Sequence, residues 1–195
     1  MTRQELTLFS FGLVFGPGLF ALSSLYWVGE GQYGITGSVL LVLGSVFWIV
    51  AFQGIFRLLA TRMPRYAAWG QLVATYGAVC GGVGFALHGM FMSLHGISHG
   101  AGLQALGDHP VVANVIFWIG GPAFPVSLLV LGIVLIRTKI LPVWAGALLS
   151  LGGALFPVAR IPRIDLLAHA VDLLMLVPAW YLAWRVNRER TAQQV

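Results

Sequence analysis

Apolar residues run along this chain in six long stretches, each closed by a short cluster of charges and turn formers. The stretches cover residues 6–28, 33–59, 67–94, 111–136, 140–158 and 164–184. A bilayer core of about 30 Å takes about 20 apolar residues as a helix, so each stretch is long enough to cross. Gly29-Glu30-Gly31, Arg62-Met63-Pro64-Arg65, Gly107-Asp108-His109-Pro110, Arg137-Thr138-Lys139 and Arg160-Ile161-Pro162-Arg163 separate them, and no connection has room for a soluble domain. The pattern predicts an all-α bundle of six transmembrane helices, one integral membrane domain over residues 1–195. Its first partner is the lipid bilayer. The run behind Met1-Thr-Arg-Gln-Glu-Leu is longer than the core of a signal peptide and reads as a retained first span.

Composition agrees. Apolar residues make up 58% and charged ones 9%, with a mean hydropathy of +0.88. The formal charge of +5 comes from arginines placed singly at span ends rather than gathered into a patch, which argues for a topogenic role and against nucleic acid. Arg3, Arg57, Arg62, Arg65, Arg137, Lys139, Arg185, Arg188 and Arg190 fall on one side, against Arg160 and Arg163 on the other. In a bacterial host this predicts a multi-pass protein of the cytoplasmic (inner) membrane with both termini in the cytoplasm. Tyr26, Trp27, Tyr66, Trp69, Trp180, Tyr181 and Trp184 stand where interfacial anchors would. Cys80 is the single cysteine and reads as a small packing residue, since it has no partner for a disulfide or a thiolate cluster.

A faint internal repeat runs through the spans. Leu40-Leu41-Val42-Leu43-Gly44 in the second is echoed by Leu148-Leu149-Ser150-Leu151-Gly152 in the fifth. Arg62-Met63-Pro64-Arg65 is echoed by Arg160-Ile161-Pro162-Arg163, and Pro17 by Pro125. A three-plus-three duplication would invert the halves, because each has an odd number of spans, and inverted repeats are frequent in secondary transporters. Gly16-Pro17-Gly18 and the stretch from Gly120 to Pro125 are expected to break the first and fourth spans.

The candidate chemistry lies in two sets of ionisable residues inside the apolar stretches, where such groups are costly and by default functional. His88, His95 and His99 are spaced to share one helical face within roughly 40°, alongside a stripe of Gly70, Gly77, Gly81 and Gly84 that permits close helix approach. Asp165, His169 and Asp172 share a face of the sixth span, the last two about 7 and 12 Å below its outer end. If the third and sixth spans were neighbours, the two faces would form one outer-leaflet cluster. Imidazole and carboxylate together suit a divalent metal, zinc first, with His88, His95, His169 and Asp172 as ligands and His99 and Asp165 at the mouth. The site would then have a hydrolase-like or structural role toward a small-molecule or lipid substrate. Alternatives from the same residues are a b-type haem held by one His from each helix, a small secondary transporter with a His/Asp proton relay, and a structural or assembly subunit. Whatever the role, Asp172 needs a partner: His169, His88 or an arginine.

The His-x-x-x-His of His95 and His99, with Asp and His on a later helix, resembles the membrane hydrolase superfamily that includes adiponectin receptors and alkaline ceramidases. The chain departs from that pattern in having six spans rather than seven and in carrying the pair on the third span. No residue role is carried over.

Overall fold

The computed structural model describes residues 1–28 and 32–192, so the acidic residue Glu30 lies outside the described residues. The helices are α1 (Arg3–Ser24), α2 (Gly34–Ala60), α3 (Pro64–His95), α4 (His99–Gly107), α5 (Pro110–Arg137), α6 (Val143–Arg160) and α7 (Asp165–Ala192). Among the described residues six of them, all but α4, are long and apolar enough to cross a membrane. The chain is a multi-pass, all-α membrane protein. Successive spans alternate in direction, which gives the bundle a terminal end, holding both chain ends, and a distal end, holding the α1–α2, α3–α5 and α6–α7 connections.

Local chemistry sets the helix ends. Thr2 and Glu5 form a reciprocal capping box at the start of α1, Thr2 N–H donating to Glu5 at 2.7 Å and Glu5 N–H to Thr2 at 3.2 Å. Glu5 also takes a 2.6 Å bond from Arg57, tying α1 to α2 at the terminal end. The first span stops at Ser24 rather than running to Val28, because Val28 and Gln32 exchange backbone hydrogen bonds of 2.8 and 3.0 Å in the turn that follows. Pro64 opens α3 in its first turn, where a missing N–H costs nothing.

The spans form a ring in chain order that closes when α7 packs on α1. The ring is flattened. Phe124 of α5 sits at its centre, with ring centroids 5.4 Å from Phe20, 5.7 Å from Trp48, 6.0 Å from Phe52 and 5.5 Å from Phe156, so α1, α2, α5 and α6 converge on one aromatic plug. α3 lies in the groove between α2 and α5, and α7 in the groove between α1 and α6. Glycines permit these approaches, since lipid supplies no hydrophobic drive between helices and close packing must do so. A Cβ on Gly12 would come 2.7 Å from Ala51 N, and one on Gly153 would come 2.6 Å from Leu129 N and Pro125 O. Gly77 and Gly81 do lie against another span, as their stripe predicts: a Cβ on Gly77 would collide with the Phe124 backbone, and one on Gly81 would meet Gly121 O at 2.9 Å.

The expected helix breaks fall elsewhere. α1 runs unbroken with Pro17 inside it. The departures from α geometry are π-helical segments at Ala78–Gly84 in α3 and Ala113–Gly120 in α5, which pack against each other. The glycines around Cys80, on α3, and at Gly120-Gly121, on α5, let the two widened backbones meet. Such segments remain hydrogen-bonded while displacing side chains from the regular face, and they recur at functional sites.

Candidate functional site

The distal end is organised by Arg160, the last residue of α6. It is 6% exposed, and its Nη2 donates to Oδ1 of Asp172 at 2.6 Å; Asp172 on α7 is 1% exposed. Ser24, the last residue of α1, places its Oγ 2.8 Å from Asp172 Oδ2, 2.9 Å from His169 Nδ1 and 2.9 Å from Ala21 O. A hydroxyl has one proton to give, and the charged carboxylate is its strongest acceptor. With that proton committed to Asp172, the Nδ1–H of His169 donates to Ser24. Three spans, α1, α6 and α7, thus meet in one chain from His169 through Ser24 and Asp172 to Arg160.

Aromatic rings flank the guanidinium. Arg160 lies 5.2 Å from the Trp27 ring centroid and 5.1 Å from that of Phe156, and Arg163 lies 4.6 Å from Tyr33 and 5.7 Å from Trp27. Desolvated cation–π contacts of this kind are worth about 2 kcal/mol, which helps offset the cost of a charge held away from water. Arg163 closes the α6–α7 turn at φ +58°, a left-handed conformation unfavourable for a residue with a Cβ, directly after Pro162. The backbone therefore accepts strain to bring this second guanidinium over Tyr33.

Arg160 also borders a cavity of about 150 Å³. Its walls come from Tyr33 ahead of α2, Gly81 and Phe85 on α3, Phe117, Trp118 and Gly121 on α5, and Phe156 on α6. Arg160 and Arg163 border it, and His99 and Leu103 of α4 cover it. The π-helical segments form one wall. Arg160 Nε and Nη1 are buried, and the Tyr33 hydroxyl on the cavity wall is the hydrogen-bonding and electrostatic neighbour of the guanidinium besides Asp172. A guanidinium bordering a largely apolar cavity can meet an anion there with a charge-assisted N–H bond.

Two of the expected site residues, His169 and Asp172, come together here, and the others do not join them. α3 and α7 occupy opposite grooves of the four-helix centre, so the histidine face of one does not meet the His/Asp face of the other. His88 instead packs edge-on against Phe117, centroids 5.2 Å apart, under Gly102 of α4. His95 is exposed and stacks on Phe91 at 4.3 Å. His99 is not on the third span at all: Gly96 ends α3 at φ +64°, and Ser98 caps a separate helix that begins at His99. The His-x-x-x-His spacing therefore spans a helix end. Asp165 is exposed at the start of α7. Among the described residues no three His, Cys, Asp or Glu side chains gather as a metal ion requires.

Sequence reasoning assigned Arg160 and Arg163 to topology alone and Trp27 to the interface. The available signal was that these two arginines stand on the side where basic residues are otherwise missing, opposite a buried carboxylate in need of a partner.

Fold and site together define a multi-pass membrane protein with a buried ion pair bordering an aromatic-walled cavity. No protein-family model, curated protein or solved structure matches the chain.

Proposed function

We propose that the protein binds a small organic monoanion with an apolar body, a short or aromatic carboxylate, in the distal cavity, as the recognition step of transport. The observation that carries this reading is Arg160: a buried guanidinium, held by Asp172 through Nη2, that borders an apolar cavity beside the Tyr33 hydroxyl and a second arginine, Arg163. A cavity of about 150 Å³ is well below the 300–1,000 Å³ typical of sites for drug-sized ligands, which favours a compact ligand. The aromatic walls supply contact for its body. Arg160 and Arg163 both border the cavity, but Asp172 already offsets the charge of Arg160, so a monoanion suits the site better than a phosphate dianion.

Benzoate is the probe. In purified protein it should raise the melting temperature saturably, since a ligand that binds only the folded state stabilises by mass action. Replacing Arg160→Met and Asp172→Leu together removes the receptor without leaving a buried charge alone, and should abolish the shift. Equal stabilisation of both proteins, or of neither, would count against the reading.

A further inference from the structure

The terminal end holds a second cavity, of about 430 Å³. Residues from the start of α1 (Leu6), the end of α2 (Leu58) with Arg62 just beyond it, the residues before α6 (Lys139) and the end of α7 (Arg185) border it. The distal cavity is bordered by the middle of α5, the end of α6, the residue before α2 and the second half of α3. Exchanging α1 with α5, α2 with α6 and α3 with α7 carries the borders from the end of α2, the residues before α6 and the end of α7 onto the end of α6, the residue before α2 and the second half of α3; the α1 and α5 borders do not correspond, Leu6 lying at the start of α1 and Phe117 to Pro125 in the middle of α5.

The same exchange maps the packing onto itself. It carries the α1–α2 pair onto α5–α6, and α3 in the α2/α5 groove onto α7 in the α6/α1 groove. It also carries Arg62-Met63-Pro64-Arg65 onto Arg160-Ile161-Pro162-Arg163, and the first arginine of each motif lines the cavity at its own end. The sequence echo and the placing of one such arginine at each cavity are separate observations that agree. At the terminal end Arg62 donates to the Thr138 carbonyl and Arg185 to the Ile140 carbonyl at 2.7 Å, so both arginines grip the α5–α6 turn. The aromatic plug around Phe124 lies between the cavities.

We infer that the chain is an inverted repeat of two three-span units whose relative movement opens one of two equivalent cavities at a time, passing an anion from Arg160 at the distal end to the cavity bordered by Arg62. The route rests on the anion reading above, while the coupling between cavities does not. In this structure the terminal cavity is the larger, and α4 contributes His99 and Leu103 to the border of the distal one. Rocking of one repeat against the other about a central site is how inverted-repeat carriers alternate.

The test uses full-length protein in proteoliposomes, with Cys80→Ser and one reporter cysteine, Phe85→Cys for the distal cavity or Leu58→Cys for the terminal one. Labelling by a sulfonate-bearing methanethiosulfonate is the readout. A wedge at the terminal mouth, Thr61→Trp, should hold that cavity open and slow labelling at residue 85 by about threefold or more, because it biases a shared two-state equilibrium. Leu103→Trp at the distal cover should likewise change labelling at residue 58. Thr61 and Leu103 are exposed, so the wedges spare the core. Rates that respond only in the cavity carrying the wedge overturn the inference. Coupled rates without benzoate stabilisation would leave the repeat standing and remove the anion reading. Stabilisation without coupling would do the reverse.

Discussion

Arg160 and Asp172 meet at 2.6 Å near the distal end of the bundle, each almost fully enclosed, and neither would be held there without the other. Removing one partner of a buried pair strands the other charge and costs about 3–5 kcal/mol. Asp172→Asn should therefore destabilise the protein by roughly that amount in thermal or steric-trap unfolding. Arg160→Met combined with Asp172→Leu should recover most of the loss, since apolar replacement of a whole pair is often neutral or stabilising. A double variant no more stable than the single one would show that the pair contributes through something other than mutual compensation.

Charge alone is not what the cavity offers. Arg160→Lys keeps a cation opposite Asp172 but replaces a planar fork by a compact ammonium that cannot present two parallel N–H groups. Stability should fall less than in Arg160→Gln, which leaves Asp172 unpaired. Benzoate affinity should nevertheless drop at least about tenfold, matching the loss of roughly one charge-assisted hydrogen bond at 1.5–3 kcal/mol. Titration calorimetry on Arg160→Lys checks this, and unchanged affinity would mean that the guanidinium edge is not the receptor.

The spans were legible because twenty-residue apolar runs have few other uses, and the close approach of α3 was legible in Gly77 and Gly81. The need of Asp172 for a partner was legible too, from the cost of a lone carboxylate in lipid. Its partner was not, because Arg160 sits at a span end where arginines ordinarily face headgroups, and only the packing of α6 on α7 turns it inward. The histidine face failed for a local reason: the wheel assumed a continuous helix through Gly96, where the chain takes a positive φ and starts again. Which spans adjoin is a property of the whole ring and leaves no mark at the spacing of one helix.

The close approach of α3 to α5 beside the π-helical segments makes a different demand. A Cβ on Gly77 has no room against the Phe124 backbone, which cannot rotate away as a side chain could. Gly77→Ala should destabilise by about 1–3 kcal/mol, the usual cost of overpacking. Gly18, also helical, has nothing within 4 Å of the same position, so Gly18→Ala should be neutral or stabilise by up to about 1 kcal/mol through helix propensity. Melting temperatures of the two variants, measured side by side, separate packing from backbone propensity.

The residues first expected to share a metal now have distinct surroundings, and their variants should behave differently. His95 is exposed beside Phe91, so His95→Ala should stay within about 0.5 kcal/mol of the parent, as surface changes do. Ser24 is buried, and its hydroxyl joins His169 to Asp172; Ser24→Ala leaves both acceptor and donor short of a partner and should cost about 1–3 kcal/mol. Prolonged chelation should leave the melting temperature where it was, because no three candidate ligands among the described residues gather around one point. Zinc at one equivalent per chain, with a melting temperature that falls on its removal and returns on its addition, would instead require α3 and α7 to meet in a packing different from this one.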